Sequence, residues 1–129
     1  MTNSALLSII ITAIGMVESG GDPKAVNGKC VGILQLEPIY VADANRLVGK
    51  AKWTGMDRYS AKQSRAMAAV VLGHYAKPEW TVKQVARLHK CGIRAMNKPE
   101  TESEKDYCQR VYNIVQDMLN DMIEQEMEE

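Results

Sequence analysis

The sequence predicts one mainly α-helical domain, with about five main helices and a long loop after the first. Three observations support this fold class. The chain has 129 residues, a length that fits a single hydrophobic core over residues 1–129. Apolar residues recur at helical spacing, and no stretch alternates as a β-strand does. Three capping boxes, each a Ser or Thr followed three residues later by Gln or Glu, mark the starts of helices.

The first helix is predicted to lie at the centre of the domain. Ala5 to Val17 is apolar nearly all round, which is typical of a buried helix. Asn3 or Ser4 can cap its start, and Gly20-Gly21 should end it just after Glu18. The stretch lacks the basic region and the cleavage site of a signal peptide and is too short to span a bilayer. Neither a signal peptide nor stable membrane insertion is therefore expected.

A loop rich in Gly, Asp and Pro is predicted from Ser19 to about Gly32. Pro38 suits the first position of the second helix, which should end at Gly49. The other three helices are predicted to start at the capping boxes, which are Ser60 with Gln63, Thr81 with Gln84, and Thr101 with Glu104. The acidic end, residues 124–129, is expected to fray into solvent.

The net charge of zero hides an uneven distribution. Up to Pro99 the chain has fourteen Lys and Arg against six Asp and Glu, and from Glu100 onward it has two against ten. A basic surface suits a polyanionic partner such as cell wall or nucleic acid, although such charges can also simply solvate a surface. No helix gathers Arg and Lys on one face with a docking motif, so nucleic acid is not the expected partner.

The three cysteines do not predict a metal site. Cys30, Cys91 and Cys108 lack the spacing of metal ligands, and an odd number cannot pair completely. Reduced thiols are therefore expected. No metal and no cofactor are predicted.

Glu18 is the residue most indicative of chemistry. It ends a helix that should otherwise be buried, and it precedes a loop able to form one wall of a cleft. Apolar surroundings and the negative end of the helix dipole both favour the protonated form of a carboxyl group. A general acid needs that form in order to donate a proton to a leaving oxygen. The alternative is an ordinary helix-end residue turned to water, and the residue by itself fits both.

Two segments resemble the first two motifs of the lytic transglycosylase and goose-type lysozyme family. These are Glu18 to Val26 (ESGGDPKAV) and Gly32 to Pro38 (GILQLEP). The family pattern is a catalytic Glu followed by Ser, a loop containing Pro, then Gly-(Leu/Ile)-(Met/Leu)-Gln and often Pro. The small single-domain members from bacteriophages and their hosts are the most similar.

The later motifs of the family are matched less completely. His89 and Gly92 fit the third motif, but Lys90 stands where the family usually has Asn, and Cys91 where it has Gly or Ala. The fourth motif, a Tyr with Val four residues later, is matched by Tyr107 and Val111.

The resemblance implies a lysozyme-like fold and specific roles for several residues. Glu18 would act first as acid and then as base. Ser19, Gly32 and Gln35 would contribute to binding of the sugar beside it, and His89 would contact substrate. Tyr107 would line the cleft and hydrogen-bond Glu18.

The implied substrate is the peptidoglycan glycan strand, cut between N-acetylmuramic acid and N-acetylglucosamine. Glycosidases usually employ two carboxylates about 5 to 10 Å apart, whereas lytic transglycosylases employ one Glu. The possible second acids, Asp22, Glu37, Asp43 and Asp57, have no motif support, so non-hydrolytic transglycosylation is predicted. Hydrolysis, as by a lysozyme, is the alternative. An inactive wall-binding or virion structural protein is the alternative of another class, favoured by the incomplete third motif.

Further expectations follow from the same resemblance. Basic residues in loops are expected near the cleft, where wall polymers are anionic: Lys24, Lys29, Lys50, Lys52 and Arg58. Trp53 and Trp80 could stack on sugars or fill the core. The protein is expected to be a monomer, made in the cytoplasm and brought to the wall by a phage holin, by packaging in a virion or by a secretion apparatus.

Overall fold

The computed structural model describes residues 4–128, and within them the chain is mainly helical, as predicted. The α-helices are α1 (Ser4–Ser19), α2 (Pro38–Val48), α3 (Ala61–Tyr75), α4 (Val82–Cys91) and α5 (Glu102–Glu128). Two 3-10 helices, Gly55–Tyr59 and Ile93–Asn97, follow α2 and α4. The prediction of about five main helices with a long loop after the first is confirmed.

Most of the predicted helix ends are confirmed by hydrogen bonds at the caps. The Ser60 and Thr81 side chains accept the N–H groups of the third residue of α3 and α4. Gly49 ends α2 in the left-handed conformation, with φ of 78°. Glu37 occupies the N-cap position of α2, but its side chain makes no capping bond. The alternative cap at Asn3 lies outside the described residues.

The loop between α1 and α2 contains a small antiparallel sheet that the sequence does not predict. Strands β1 (Val26–Asn27) and β2 (Cys30–Val31) pair across a tight turn, and Val31 forms a further bridge with Leu36. Strands of two residues are too short to produce an alternating pattern of apolar and polar residues. The sheet folds the loop back toward the end of α1.

The core is built around α1, which contacts α3, α4 and α5. Ile10 and Ile14 on this helix are fully buried, as predicted for a central helix. Trp53 and Trp80 are only 4% and 7% exposed. Both tryptophans therefore belong to the core, and the alternative of stacking on sugars does not apply to them.

Helix α5 is longer than predicted. It remains helical to Glu128, whereas the sequence predicts fraying from Glu124. All side chains from 120 to 128 are exposed, so the last turns are held by backbone hydrogen bonds rather than by burial. None of the helices between residues 4 and 128 combines the length and the apolar character needed to cross a membrane.

Candidate active site

A cleft of about 780 Å³ opens beside the C-terminal end of α1, where Glu18 lies. Most of its lining comes from two segments. The α2 wall consists of Gln35, Leu36, Glu37, Ile39, Tyr40, Ala42, Asp43 and Arg46, and the α4 wall of residues 88–94. Three of the predicted site residues, Glu18, Gln35 and His89, line this cleft.

The Glu18 carboxyl group is held by a buried tyrosine. The Tyr107 hydroxyl, on α5, donates a hydrogen bond of 2.8 Å to Glu18 Oε2, as the sequence predicts. The side chain of Glu18 is 12% exposed, while Tyr107 is buried. Burial, together with the nearby Glu18 carboxylate, raises the pKa of Tyr107. The hydroxyl therefore keeps its proton and remains a donor.

His89 lines the cleft beside Glu18, with its side chain largely enclosed. Its side chain is 3% exposed, with Nε2 at 3.8 Å from Glu18 Oε2 and at 3.0 Å from the Leu34 carbonyl oxygen. A carbonyl can only accept, so the hydrogen-bond network assigns the proton to Nε2. Burial lowers the pKa of His89, which makes the ring neutral near pH 7. The ring attaches α4 to the loop through this bond, and the predicted contact of His89 with substrate stays a prediction.

Ser19 supports the loop instead of lining the cleft. Its Oγ lies 2.8 Å from the Ile33 carbonyl oxygen and accepts the Asp22 N–H at 3.1 Å. These bonds join the end of α1 to both halves of the loop. Ser19 therefore has a structural role, and the role in substrate binding that the resemblance implies for it stays a prediction.

Gly32 also has a structural role, and its implied part in substrate binding stays a prediction. Its φ of 85° lies in the left-handed region, which favours glycine. A Cβ at this position would meet the backbone oxygen of Arg58 at 1.8 Å. Only glycine allows the loop to pass this close to the segment before α3.

Gln35 reaches the cleft in an unusual backbone conformation. It is the only non-glycine residue with positive φ (53°) among residues 4–128. Its Nε2 donates to the carbonyl oxygens of Gly32 at 2.9 Å and Ala25 at 3.2 Å. These bonds fix the amide at the cleft, so the predicted position of Gln35 agrees with the structure.

Two of the four possible second acids make local hydrogen bonds outside the cleft. Asp22 Oδ1 accepts the backbone N–H of Lys24 at 2.9 Å, which is a local turn bond. Asp57 Oδ2 accepts the N–H of Thr54 at 2.8 Å at the start of a 3-10 helix. Neither residue lines the cleft.

The other two possible acids, Glu37 and Asp43, line the cleft. Asp43 forms an ion pair of 2.6 Å with Arg46. Glu37 is exposed, and its Oε1 lies 3.9 Å from Cys30 Sγ. Among the described residues no cation pairs with Glu37, which leaves it as the free carboxylate of the α2 wall.

The cations at the cleft differ from those expected. Arg58 serves the fold, because its guanidinium donates to the carbonyl oxygens of Lys29 and Leu36, each at 3.0 Å. None of the basic residues predicted near the cleft, Lys24, Lys29, Lys50, Lys52 and Arg58, lines it. The basic residues that do so are Arg46, Lys90 and Arg94.

Lys90 was visible in the sequence only as a departure from the third motif. Its Nζ lies 5.2 Å from the centre of the Tyr107 ring, which suits a cation–π contact. The lysine thus stands over the tyrosine that holds Glu18.

A buried ion pair supports the α4 wall. Arg87 Nε lies 2.7 Å from Glu104 Oε1, and the two side chains are 10% and 19% exposed. The same guanidinium donates to the carbonyl oxygens of Lys98 and Pro99. Glu104 was predicted only as part of a capping box, so this link between α4 and α5 was missed. This ion pair joins α4, which carries His89, to α5, which carries Tyr107.

All three cysteines are free, and two of them, Cys30 and Cys91, line the cleft. Burial, with the charge of Glu37 adding to it, raises the pKa of Cys30. This thiol is therefore not activated as a nucleophile. Within residues 4–128 no group of three or more His, Cys, Asp or Glu side chains is arranged to hold a metal ion.

Comparison with models of known protein families and with curated proteins gave no match. Inferences about function therefore depend on the geometry of the cleft and on the motifs in residues 18–38.

Proposed function

We propose that this chain cleaves peptidoglycan glycan strands as a lytic transglycosylase, with Glu18 as its acid and base. The observation that supports this most directly is the Glu18 carboxyl group. It lines an open cleft, is largely shielded from solvent and accepts a hydrogen bond from Tyr107. A shielded, oriented carboxyl group beside a substrate-sized cleft suits general acid–base catalysis.

In the first step the protonated Glu18 donates its proton to the oxygen that bridges two sugars. Because Oε2 accepts the Tyr107 hydrogen bond, Oε1 is the oxygen that carries this proton. The bond between the sugar carbon and the bridging oxygen breaks, and the oxygen leaves with the electron pair. Positive charge develops on the sugar carbon.

In the second step the ionised Glu18 acts as base. It accepts the proton of the 6-hydroxyl group on the N-acetylmuramic acid that carries the electron-poor carbon. The oxygen of that hydroxyl group then bonds to this carbon. The product is a 1,6-anhydro sugar, and no water is consumed. Tyr107 continues to donate to Oε2 and stabilises the carboxylate between the steps.

His89 does not take part in proton transfer under this proposal. Its Nε2–H points to a carbonyl oxygen, and the distance of 3.8 Å to Glu18 exceeds that of a hydrogen bond. The ring positions the loop at Leu34, beside the catalytic carboxyl group.

The test is the digestion of purified sacculi with Glu18→Gln as the critical variant. Glutamine keeps the shape of the side chain but cannot donate and recover a proton, so we expect activity to fall at least about 100-fold. Glu79→Gln is the matched control, because Glu79 is exposed and does not line the cleft. Thermal unfolding of each variant checks that the fold is kept. A fully active Glu18→Gln protein would exclude this mechanism.

Hydrolysis is the second candidate function, because Glu37 provides a free carboxylate on the same cleft. In a hydrolase this group would activate a water molecule or attack the sugar carbon. Mass spectrometry separates the two reactions, since anhydro products are lighter than reducing products by one water. Under transglycosylation, Glu37→Gln should retain most of the activity and still form anhydro ends. Reducing ends, together with a loss of activity in Glu37→Gln as large as in Glu18→Gln, would establish hydrolysis.

A further inference from the structure

The charges along the cleft are divided between its two walls. On the α2 wall the free charge is the carboxylate of Glu37, because Arg46 is engaged by Asp43 and by the Tyr75 hydroxyl. On the α4 wall the charged side chains are Lys90 and Arg94. Among residues 4–128 neither of these two cations lies within ion-pair distance of an acid. A ligand in the cleft therefore meets a negative group on one wall and two unpaired cations on the other.

The position of Lys90 brings this positive charge close to the proposed reaction centre. Its Nζ is above the ring of Tyr107, whose hydroxyl is bonded to Glu18. Arg94 is exposed and lies in the 3-10 helix that follows α4. The two cations are four residues apart, so they present positive charge along a stretch of the wall rather than at one point.

The remainder of the cleft suits an amphipathic ligand. Ile39 on the α2 wall is 73% exposed and Ile93 on the α4 wall is 39% exposed. Exposed isoleucines of this kind can pack on the apolar faces of sugar rings. Cations beside them would bind acidic groups carried by the same sugars.

We propose that Lys90 and Arg94 bind carboxylate groups of the stem peptide attached to N-acetylmuramic acid. This inference rests on the proposed function and adds the substrate class, namely strands that carry peptides. Glu37 repels acidic substituents from the α2 wall, so the peptide-bearing side of the strand faces the α4 wall. Strands stripped of their stem peptides keep only the lactyl carboxylate of N-acetylmuramic acid, so they lose the contacts with the peptide carboxylates and are cleaved less efficiently.

The experiment compares two forms of one substrate. Sacculi are digested intact, or after an amidase has removed the stem peptides, and kcat/KM is measured on both. The readout is the ratio of the two values. For the wild-type protein we expect a preference of roughly 3- to 30-fold for intact strands, the size expected of two exposed charge contacts. The preference should shrink as salt is added, because exposed charges are screened.

The critical variant is Lys90→Gln combined with Arg94→Gln, which should bring the ratio close to one. Arg94→Gln alone should move it in the same direction, and this single variant leaves the contact of Lys90 with Tyr107 intact. The matched control is Lys62→Gln combined with Arg65→Gln, two exposed residues of α3 outside the cleft. It removes the same charge and should keep the wild-type ratio.

The outcomes separate this inference from the function on which it rests. Wild-type protein that cleaves both substrates equally well would overturn the peptide recognition and leave the transglycosylase proposal standing. A variant with both Lys90→Gln and Arg94→Gln that keeps the wild-type ratio of kcat/KM values would also overturn the peptide recognition and leave the transglycosylase proposal standing. Wild-type protein that cleaves neither substrate would overturn both.

Discussion

The two walls of the cleft are held by different kinds of interaction. The α2 wall and its loop depend mainly on backbone groups: Gly32 passes against the Arg58 carbonyl, and the side chains of Gln35 and Arg58 donate to loop carbonyls. The α4 wall and the neighbouring Glu18 side chain depend on single polar atoms that join distant parts of the chain. Tyr107 and Glu18 are 89 residues apart, and His89 and Leu34 are 55 apart. The α2 wall should therefore be sensitive to backbone changes. The α4 wall and Glu18 should be sensitive to the loss of one side-chain atom.

The largest effect is expected from a backbone change in the loop that leads to the α2 wall. Gly32→Ala places a methyl group against the Arg58 carbonyl, in a conformation that already disfavours alanine. We expect the free energy of unfolding to fall by about 3 kcal/mol or more, measured by urea denaturation. Gly28→Ala is the control, because φ is also positive there (62°) but no atom lies within 4 Å of the added carbon. Equal losses in both variants would show that the close approach is unimportant.

A smaller effect, confined to activity, is expected when the hydrogen bond between Tyr107 and Glu18 is removed. Tyr107→Phe removes only the hydroxyl that holds Glu18. A hydrogen bond to a charged group contributes about 1.5–3 kcal/mol, so kcat/KM on sacculi should fall roughly 10- to 100-fold. The melting temperature should change little, since the ring still fills its site. Tyr112→Phe on the same helix is the control, because the Tyr112 ring contacts Lys83 and the bond to Glu18 belongs to Tyr107. If both variants were equally active, Tyr107 would have no part in orienting Glu18.

The smallest effect concerns the dependence of stability on pH. The pKa of His89 is lowered by burial, so the unfolded chain binds a proton at this residue more readily than the folded one. The neutral ring makes its full contribution to the free energy of unfolding above the ordinary histidine pKa near 6.5. This contribution decreases as the pH falls below that value.

The variant His89→Asn lacks this titration and should show a flatter profile of unfolding free energy between pH 7 and 5. His74→Asn, at an exposed histidine of α3, should keep the wild-type profile. Profiles of the same slope in His89→Asn and the wild type would contradict the buried neutral state of the ring.

The difference between the walls also explains what the sequence could predict. Helix starts at Ser60 and Thr81 were predictable because capping acts over three residues. The loop was predictable from its Gly, Asp and Pro residues, whereas Glu18 and Gln35 were assigned to the site through the resemblance to the family motifs. The partnership of Tyr107 with Glu18 was inferred from a family motif and not from any local pattern.

The parts that were missed depend on long-range packing. Arg87 and Glu104 are 17 residues apart, and no local sequence pattern predicts an ion pair between separate helices. The structural contacts of Ser19 and Gly32 were not predicted, because a motif records which residues recur and not what they contact. The same limit applies to Glu37 and Lys90, whose position on the cleft depends on how α2 and α4 are placed.

The left-handed conformation of Gln35 has a consequence for engineering. A non-glycine residue in that region costs roughly 1–2 kcal/mol, and the two hydrogen bonds of the Gln35 amide to loop carbonyls offset this strain. A glycine at position 35 would relieve the strain, but it would lose both bonds and remove the amide from the cleft. Loop stability and the lining of the site therefore depend on the same amide, and a screen for hardier forms of this protein needs an activity readout at every round.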